Sequence, residues 1–156
     1  TPFELAAANE SLSFGFNRFY ARHFLQTLIP AALRKIERFP GAADSERLRA
    51  ARTLGEFDDE FTAPVHGFRN AAEYYAQCST RQRLGGIAVP TLLLNACNDP
   101  FLPEQYLPGD ADVSLTVVLD QPVRGGHVGF VSGPFPGRLT WMPSRVLGFF
   151  ADALGV

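Results

Sequence analysis

The stretch Ile87-Ala88-Val89-Pro90-Thr91-Leu92-Leu93-Leu94-Asn95-Ala96-Cys97-Asn98-Asp99-Pro100 decides how the rest of this chain is read. Its apolar run from Thr91 to Ala96 lies between Gly85-Gly86 with Pro90 on one side and Asn98-Asp99-Pro100 on the other. A short continuous apolar run bounded by turn residues predicts a strand buried on both faces, as in a parallel sheet. A second strand is predicted from Val113 to Leu119, where β-branched residues gather. Glycine and proline crowd Pro122 to Pro143, and a last helix is predicted from about Ser144, packing through Val146, Leu147 and Phe150.

Before residue 84 the pattern is helical. Leu12, Phe16, Phe19, Tyr20, Phe24, Leu25 and Leu28 recur at three- and four-residue steps between Leu5 and Leu28, which predicts one wide apolar helix face ended by Pro30. Ala31 to Phe39 forms the next piece and stops at Pro40-Gly41. Asp44 or Ser45 can cap a helix running towards Phe57 through Leu48 and Leu54. A loop is predicted around Ala63 to Gly67, and Asn70 can cap a short helix through Tyr74, Tyr75 and Cys78. The order is helices, strand, loop, strand, loop, helix. Two parallel strands are too few for a stable open sheet, so more strands are expected than this chain carries.

The 156 residues are 46% hydrophobic and 19% charged, a composition that excludes a disordered chain. Fourteen Lys plus Arg against sixteen Asp plus Glu leave a net charge of −2, which gives no electrostatic case for nucleic acid or an anionic membrane. No segment has the length of a transmembrane helix: the longest nearly uncharged stretch, Ile87 to Cys97, contains Pro90. Thr1-Pro2-Phe3-Glu4 has no signal-peptide pattern, and Cys78 and Cys97 form neither a disulfide framework nor a metal pair, so a cytoplasmic location is expected. The only methionine is Met142, which permits the chain to be part of something longer.

Two short segments carry the chemistry. Asn98-Asp99-Pro100 follows the first strand and Gly125-Gly126-His127 follows the second, at the carboxyl edge where open α/β sheets place ligands. Pro100 biases Asp99 towards extended backbone, and the two glycines allow a tight turn that projects His127. An Asp that orients a His, which in turn serves a nucleophile, is two thirds of a hydrolytic triad, in the chain order of the α/β-hydrolases. The plainer readings stand beside these: Asp-Pro as a simple turn, and His66 as a loop histidine bonded to backbone. Arg34, Lys35, Arg38, Arg47, Arg49 and Arg52 read as solvated helix faces, Asp58-Asp59-Glu60 as a helix-end acidic cluster rather than a metal site, and Cys97 as a small buried residue. The aromatic stripe of the first helix reads as core or cap surface, with substrate lining the other reading.

These words together resemble the YheT-like branch of the α/β-hydrolases, a group of carboxylesterases. The resemblance runs through Pro2-Phe3-Glu4-Leu5, Ala32-Leu33-Arg34-Lys35, Phe39-Pro40-Gly41, Glu56-Phe57-Asp58-Asp59, Thr62-Ala63-Pro64, His66-Gly67-Phe68, Ala72-Glu73-Tyr74-Tyr75 and Val89-Pro90-Thr91-Leu92. Its most specific parts are Asn98-Asp99-Pro100-Phe101 and Gly125-Gly126-His127-Val128-Gly129-Phe130; the connection Asp120 to Arg124 is longer than the family's. The resemblance implies an α/β fold of which this chain is the C-terminal part: a helical cap and connecting helices over residues 1–83, then the seventh and eighth strands and the final helix over residues 84–156. It implies Asp99 as triad acid and His127 as triad base, no cofactor or metal, a small-molecule ester substrate, and an N-terminal half of the same fold as partner. The nucleophile belongs in a Gly-x-Ser-x-Gly turn, and none of the seven serines stands in one; Gly129-Phe130-Val131-Ser132-Gly133 has its serine one place late. The chain alone is therefore expected to be inactive. The alternatives are a non-catalytic module that binds an apolar ligand or partner chain, and a relative with an upstream Asp nucleophile.

Overall fold

The computed structural model describes residues 3–155, so the Pro2 of the first matching word lies outside the described residues. The chain divides between Ser79 and Thr80 into two compact units. The first is all helical: α1 (Leu5–Ser13), α2 (Asn17–Arg38), α3 (Ser45–Ala50), α4 (Leu54–Phe57), a π turn over Asp58–Thr62, α5 (Ala63–Val65) and α6 (Ala71–Cys78). Its core gathers Leu25, Ala32, Leu48, Ala51 and Phe57, with Ile29, Leu33, Ile36, Leu54 and Phe61 packed against them.

The helix boundaries correct three sequence expectations. The chain breaks not at Pro30 but at Phe14-Gly15-Phe16, where Gly15 takes φ +56°, and Pro30 sits inside the 22-residue helix α2. An interior proline costs a helix about 3 kcal/mol or more. The helix continues because Leu25 and Ile29 before it and Ala32, Leu33 and Ile36 after it pack into the same core. Next, the helix expected to run from Asp44 towards Phe57 is two helices. Asp44 caps α3 by accepting from the amides of Glu46 and Arg47. Thr53 opens α4 by accepting from the Glu56 amide, while the Glu56 carboxylate accepts from the Arg52 amide. Thr53-Leu54-Gly55-Glu56 is the sequence form of that reciprocal cap. Finally, the predicted loop is helical as far as Val65, and only His66 onward departs.

Most of the aromatic stripe faces outward: Phe16, Phe19 and Tyr20 are exposed, whereas Leu12, Ala21 and Leu25 are buried. The acidic cluster is absorbed by the fold. Asp58 accepts from the Thr62 and Tyr75 hydroxyls, Asp59 from the Ala71 amide, and Glu60 pairs with Arg47. No group of three potential metal ligands exists among the described residues.

The second unit holds 3-10 turns at Arg81–Gly86, Glu104–Tyr106 and Asp110–Asp112, strands β1 (Thr91–Leu94) and β2 (Val117–Asp120), and helix α7 (Trp141–Leu154). The strands pair in parallel with Thr91 opposite Val117 and Leu94 opposite Asp120. β2 starts four residues later than predicted, because the Ser114 and Thr116 hydroxyls donate to the Ile87 carbonyl and hold the segment before it as a turn. Burial on both faces is not observed: Leu93 and Val117 are buried and Val118 is exposed, since two strands offer too little sheet to be covered on both sides. The final helix begins at Trp141 rather than Ser144, and Arg145 ties it to β2 through Asp120 at 2.5 Å. Leu147 and Phe150, expected as packing positions, are exposed.

The Tyr75 hydroxyl, 2.6 Å from Asp58, carries a testable consequence. Burial first, then the Asp58 bond, pushes its pKa well above the ordinary 10. The unfolded tyrosine ionises near 10 and the folded one does not, so this contribution to stability is complete below pH 10 and declines as pH rises beyond it. Tyr75→Phe is expected to flatten that alkaline decline and, at neutral pH, to lower the unfolding free energy by about 1–3 kcal/mol, read by urea titration of helicity.

Candidate active site

β1 and β2 end side by side, and the ladder continues past them. The Asn95 amide donates to the Asp120 carbonyl, and the Cys97 amide to the Pro122 carbonyl. From this shared edge β1 turns sharply through Cys97 and Asn98, closed by the Asp99 amide donating to the Ala96 carbonyl. The turn directs the Asp99 side chain inward until it is only 2% exposed. Asp99 is the one buried charged residue among the described residues. A buried carboxylate is costly unless hydrogen bonded. Here Oδ1 accepts from the Phe101 amide at 2.9 Å, and Oδ2 lies 2.9 Å from His127 Nδ1.

A carboxylate only accepts, so the shared proton sits on Nδ1 and the neutral ring leaves Nε2 with its lone pair. Half of the imidazole is exposed, and the Phe101 ring lies 4.7 Å from it, tilted by 54°. Such a ring is held in one tautomer and one orientation while its other nitrogen can take a proton.

The loop that carries His127 is tightly closed. The Phe130 amide donates to the Gly125 carbonyl at 2.8 Å, and Phe130, buried and stacked on Trp141 at 5.3 Å, takes φ +43°. A left-handed phenylalanine is strained and persists only where its surroundings over-determine it. Gly125 is required for space: a Cβ there would lie 2.5 Å from the Phe130 ring and 2.8 Å from the Ala96 methyl. Gly126 is required for conformation, at φ +64°.

The structure thus brings together Asp99 and His127, the two residues singled out in the sequence. It leaves His66 exposed at the end of α5. Cys97 is half-buried with its thiol on the Gln121 carbonyl, and burial, together with Glu104, pushes that thiol up, away from nucleophilic use. Ser132 pairs with Arg138 in a local bridge. Two contributors escaped the sequence reading. Phe101 packs on the imidazole, and Asn98 accepts from both glycine amides of the His loop. The pair Gly125-Gly126, two consecutive donors in a turn, was the available signal that an acceptor had to face them.

No family model and no solved structure matches the chain. Curated proteins do. It is 37% identical over 147 residues to "Putative esterase YheT" of Escherichia coli (strain K12), covering 93% of this chain and 43% of that protein. It is 33% identical over 150 residues to Phospholipase ABHD3 of Mus musculus, covering 95% of this chain and 36% of that one. Monoacylglycerol lipase ABHD2 of Homo sapiens is 36% identical over 111 residues, 68% of this chain and 26% of that protein. These similarities support a relationship to the α/β-hydrolases. Among these, the resemblance to the YheT-like branch holds across nearly the whole chain. The chain spans 43% or less of the length of these relatives.

Gly125→Ala is expected to force Phe130 or the strand edge away and to cost about 1–3 kcal/mol of unfolding free energy. Urea titration measures it, with Gly129→Ala as the control, since a Cβ at Gly129 meets nothing closer than 3.7 Å.

Proposed function

We propose that this chain is the cap and C-terminal part of a serine hydrolase acting on carboxylic esters. Residues 1–83 supply the helical cap and connecting helices, and residues 84–156 the last strands, the acid and histidine loops and the final helix. The observation that carries the reading is the pairing of buried Asp99 with half-exposed His127 at the ends of two adjoining parallel strands. The names of the relatives, an esterase, a phospholipase and a monoacylglycerol lipase, support the same class of bond.

In this reading the nucleophile is a serine outside these residues. His127 Nε2 takes the hydroxyl proton as the serine oxygen bonds to the ester carbonyl carbon, and Asp99 stabilises the imidazolium that forms. The same proton then passes to the departing alkoxide, which leaves as the alcohol, and the acyl group stays on the serine. Water, deprotonated by His127 in turn, bonds to the acyl carbon, and the proton passes from His127 to the serine oxygen as the acyl–serine bond breaks and the acid leaves. A His-Asp pair activates only what it can reach, so the chain without its serine and oxyanion donors is inactive. Neither a metal nor an organic cofactor enters any step.

One observation favours a second reading, an apolar-ligand module. The helical unit has a groove of about 940 Å3 between α2 and the α3–α4 junction, lined by Leu12, Phe19, Leu25, Ile29 and Leu54. That volume suits a drug-sized or acyl ligand.

Expression of the full reading frame and treatment with a fluorophosphonate probe separates the readings. The hydrolase reading expects labelling, slowed on the order of 10⁶-fold in His127→Ala. Unchanged labelling in that variant removes His127 from the base role. A frame without a Gly-x-Ser-x-Gly turn and without labelling leaves the module reading, which then expects saturable binding of a fluorescent fatty acid.

A further inference from the structure

The reaction proposed above needs His127 at a fixed height over the sheet edge, and the Asp99 bond alone leaves that height open, because a ring can stay on its carboxylate while its backbone shifts. The backbone is held from the other side of the same turn. Asn98 Oδ1 accepts from the Gly125 amide at 2.8 Å and from the Gly126 amide at 2.9 Å. Two consecutive backbone donors converging on one oxygen form a small concavity of the kind that otherwise collects anions. An amide carbonyl fills it with two lone pairs and no net charge.

We propose that Asn98 is the positioning residue for His127. It locks the loop backbone while Asp99, the next residue, locks the ring. The inference rests on His127 acting as the base. The two locks come from one β-turn, Ala96 to Asp99, so a single rigid element sets both the orientation and the location of the imidazole. The loop's other closures are the Phe130 amide on the Gly125 carbonyl and the Phe130–Trp141 stack, while the N–H groups of Gly125 and Gly126 that precede His127 are bonded by Asn98. Asn98 itself is exposed, so the side chain fills no core and its replacement removes hydrogen bonds rather than packing. Neutrality matters too. A carboxylate at this position would accept equally well but would add a second negative charge beside the imidazole and favour its protonated, non-basic form.

The test uses the full gene product with Asn98→Ala and Asn98→Asp. In Asn98→Ala the rate of fluorophosphonate labelling is expected to fall about tenfold, as a displaced general base loses reach, with the stoichiometric end point unchanged. An unchanged end point shows that the active fraction is intact, which a folding defect would not leave alone. Asn98→Asp, which keeps the acceptor, is expected to recover the rate at alkaline pH and to move the acid limb of the labelling profile to higher pH. Wild-type labelling rates in Asn98→Ala, or no recovery in Asn98→Asp at any pH, overturn the proposal. Should the wild-type protein not label at all, the hydrolase reading fails and the proposal is judged by NMR. The His127 Nδ1 proton and slow exchange at the Gly125 and Gly126 amides are then expected in the wild type and weakened in Asn98→Ala, and their persistence in that variant overturns it.

Discussion

A carboxylate that water hardly reaches organises one end of the strand-bearing unit. Asp99 is tolerated there because both of its oxygens are engaged, one by the Phe101 amide and one by His127. Each engagement imposes geometry. The Phe101 amide requires the chain to double back directly after Pro100, which brings the Phe101 ring against the imidazole. The histidine requires a loop from the neighbouring strand to arrive within hydrogen-bond reach, which the parallel register of β1 and β2 makes possible. The left-handed Phe130 and the close packing at Gly125 follow, since the loop must bend tightly to reach so near the strand end.

The helical unit spends its carboxylates differently. Asp58, Asp59 and Glu60, which the sequence presents as a helix-end acidic cluster, each join one helical segment to another through a hydroxyl, an amide or an arginine. Asp44, Thr53 and Asn70 likewise satisfy helix-end amides that lack intrahelical partners. Phe19 of α2 and Leu147, Phe150 and Leu154 of α7 are the opposite case: apolar side chains that stay exposed.

Much of this was legible from residues alone. Asp99 and His127 could be picked out because special backbone chemistry, Pro100 on one and two glycines before the other, surrounds a reactive side chain. The two strands followed from an apolar run between turn residues and a β-branched run, and their parallel pairing is found although the burial on both faces expected with it is not. Boundaries were less legible. Pro30 normally ends a helix, but core contacts on both sides outweigh its local penalty. Thr53 went unnoticed as a cap because it lies inside the single helix expected from Asp44 towards Phe57. The start of β2 depended on two hydroxyls reaching a carbonyl nearly thirty residues away, and no local pattern records that.

The sequence by itself determined the class of fold, the helix caps at Asp44 and Asn70 and the two side chains able to share a proton, because each depends on local chemistry and on the order of elements along the chain. Only the tertiary structure decided that Asp99 is buried and His127 half-exposed, which partners the acidic cluster meets, and that Asn98 faces Gly125 and Gly126. Those facts depend on which distant segments meet, and an exposed asparagine in a turn shows its partner only once the neighbouring strand has delivered the other loop to it.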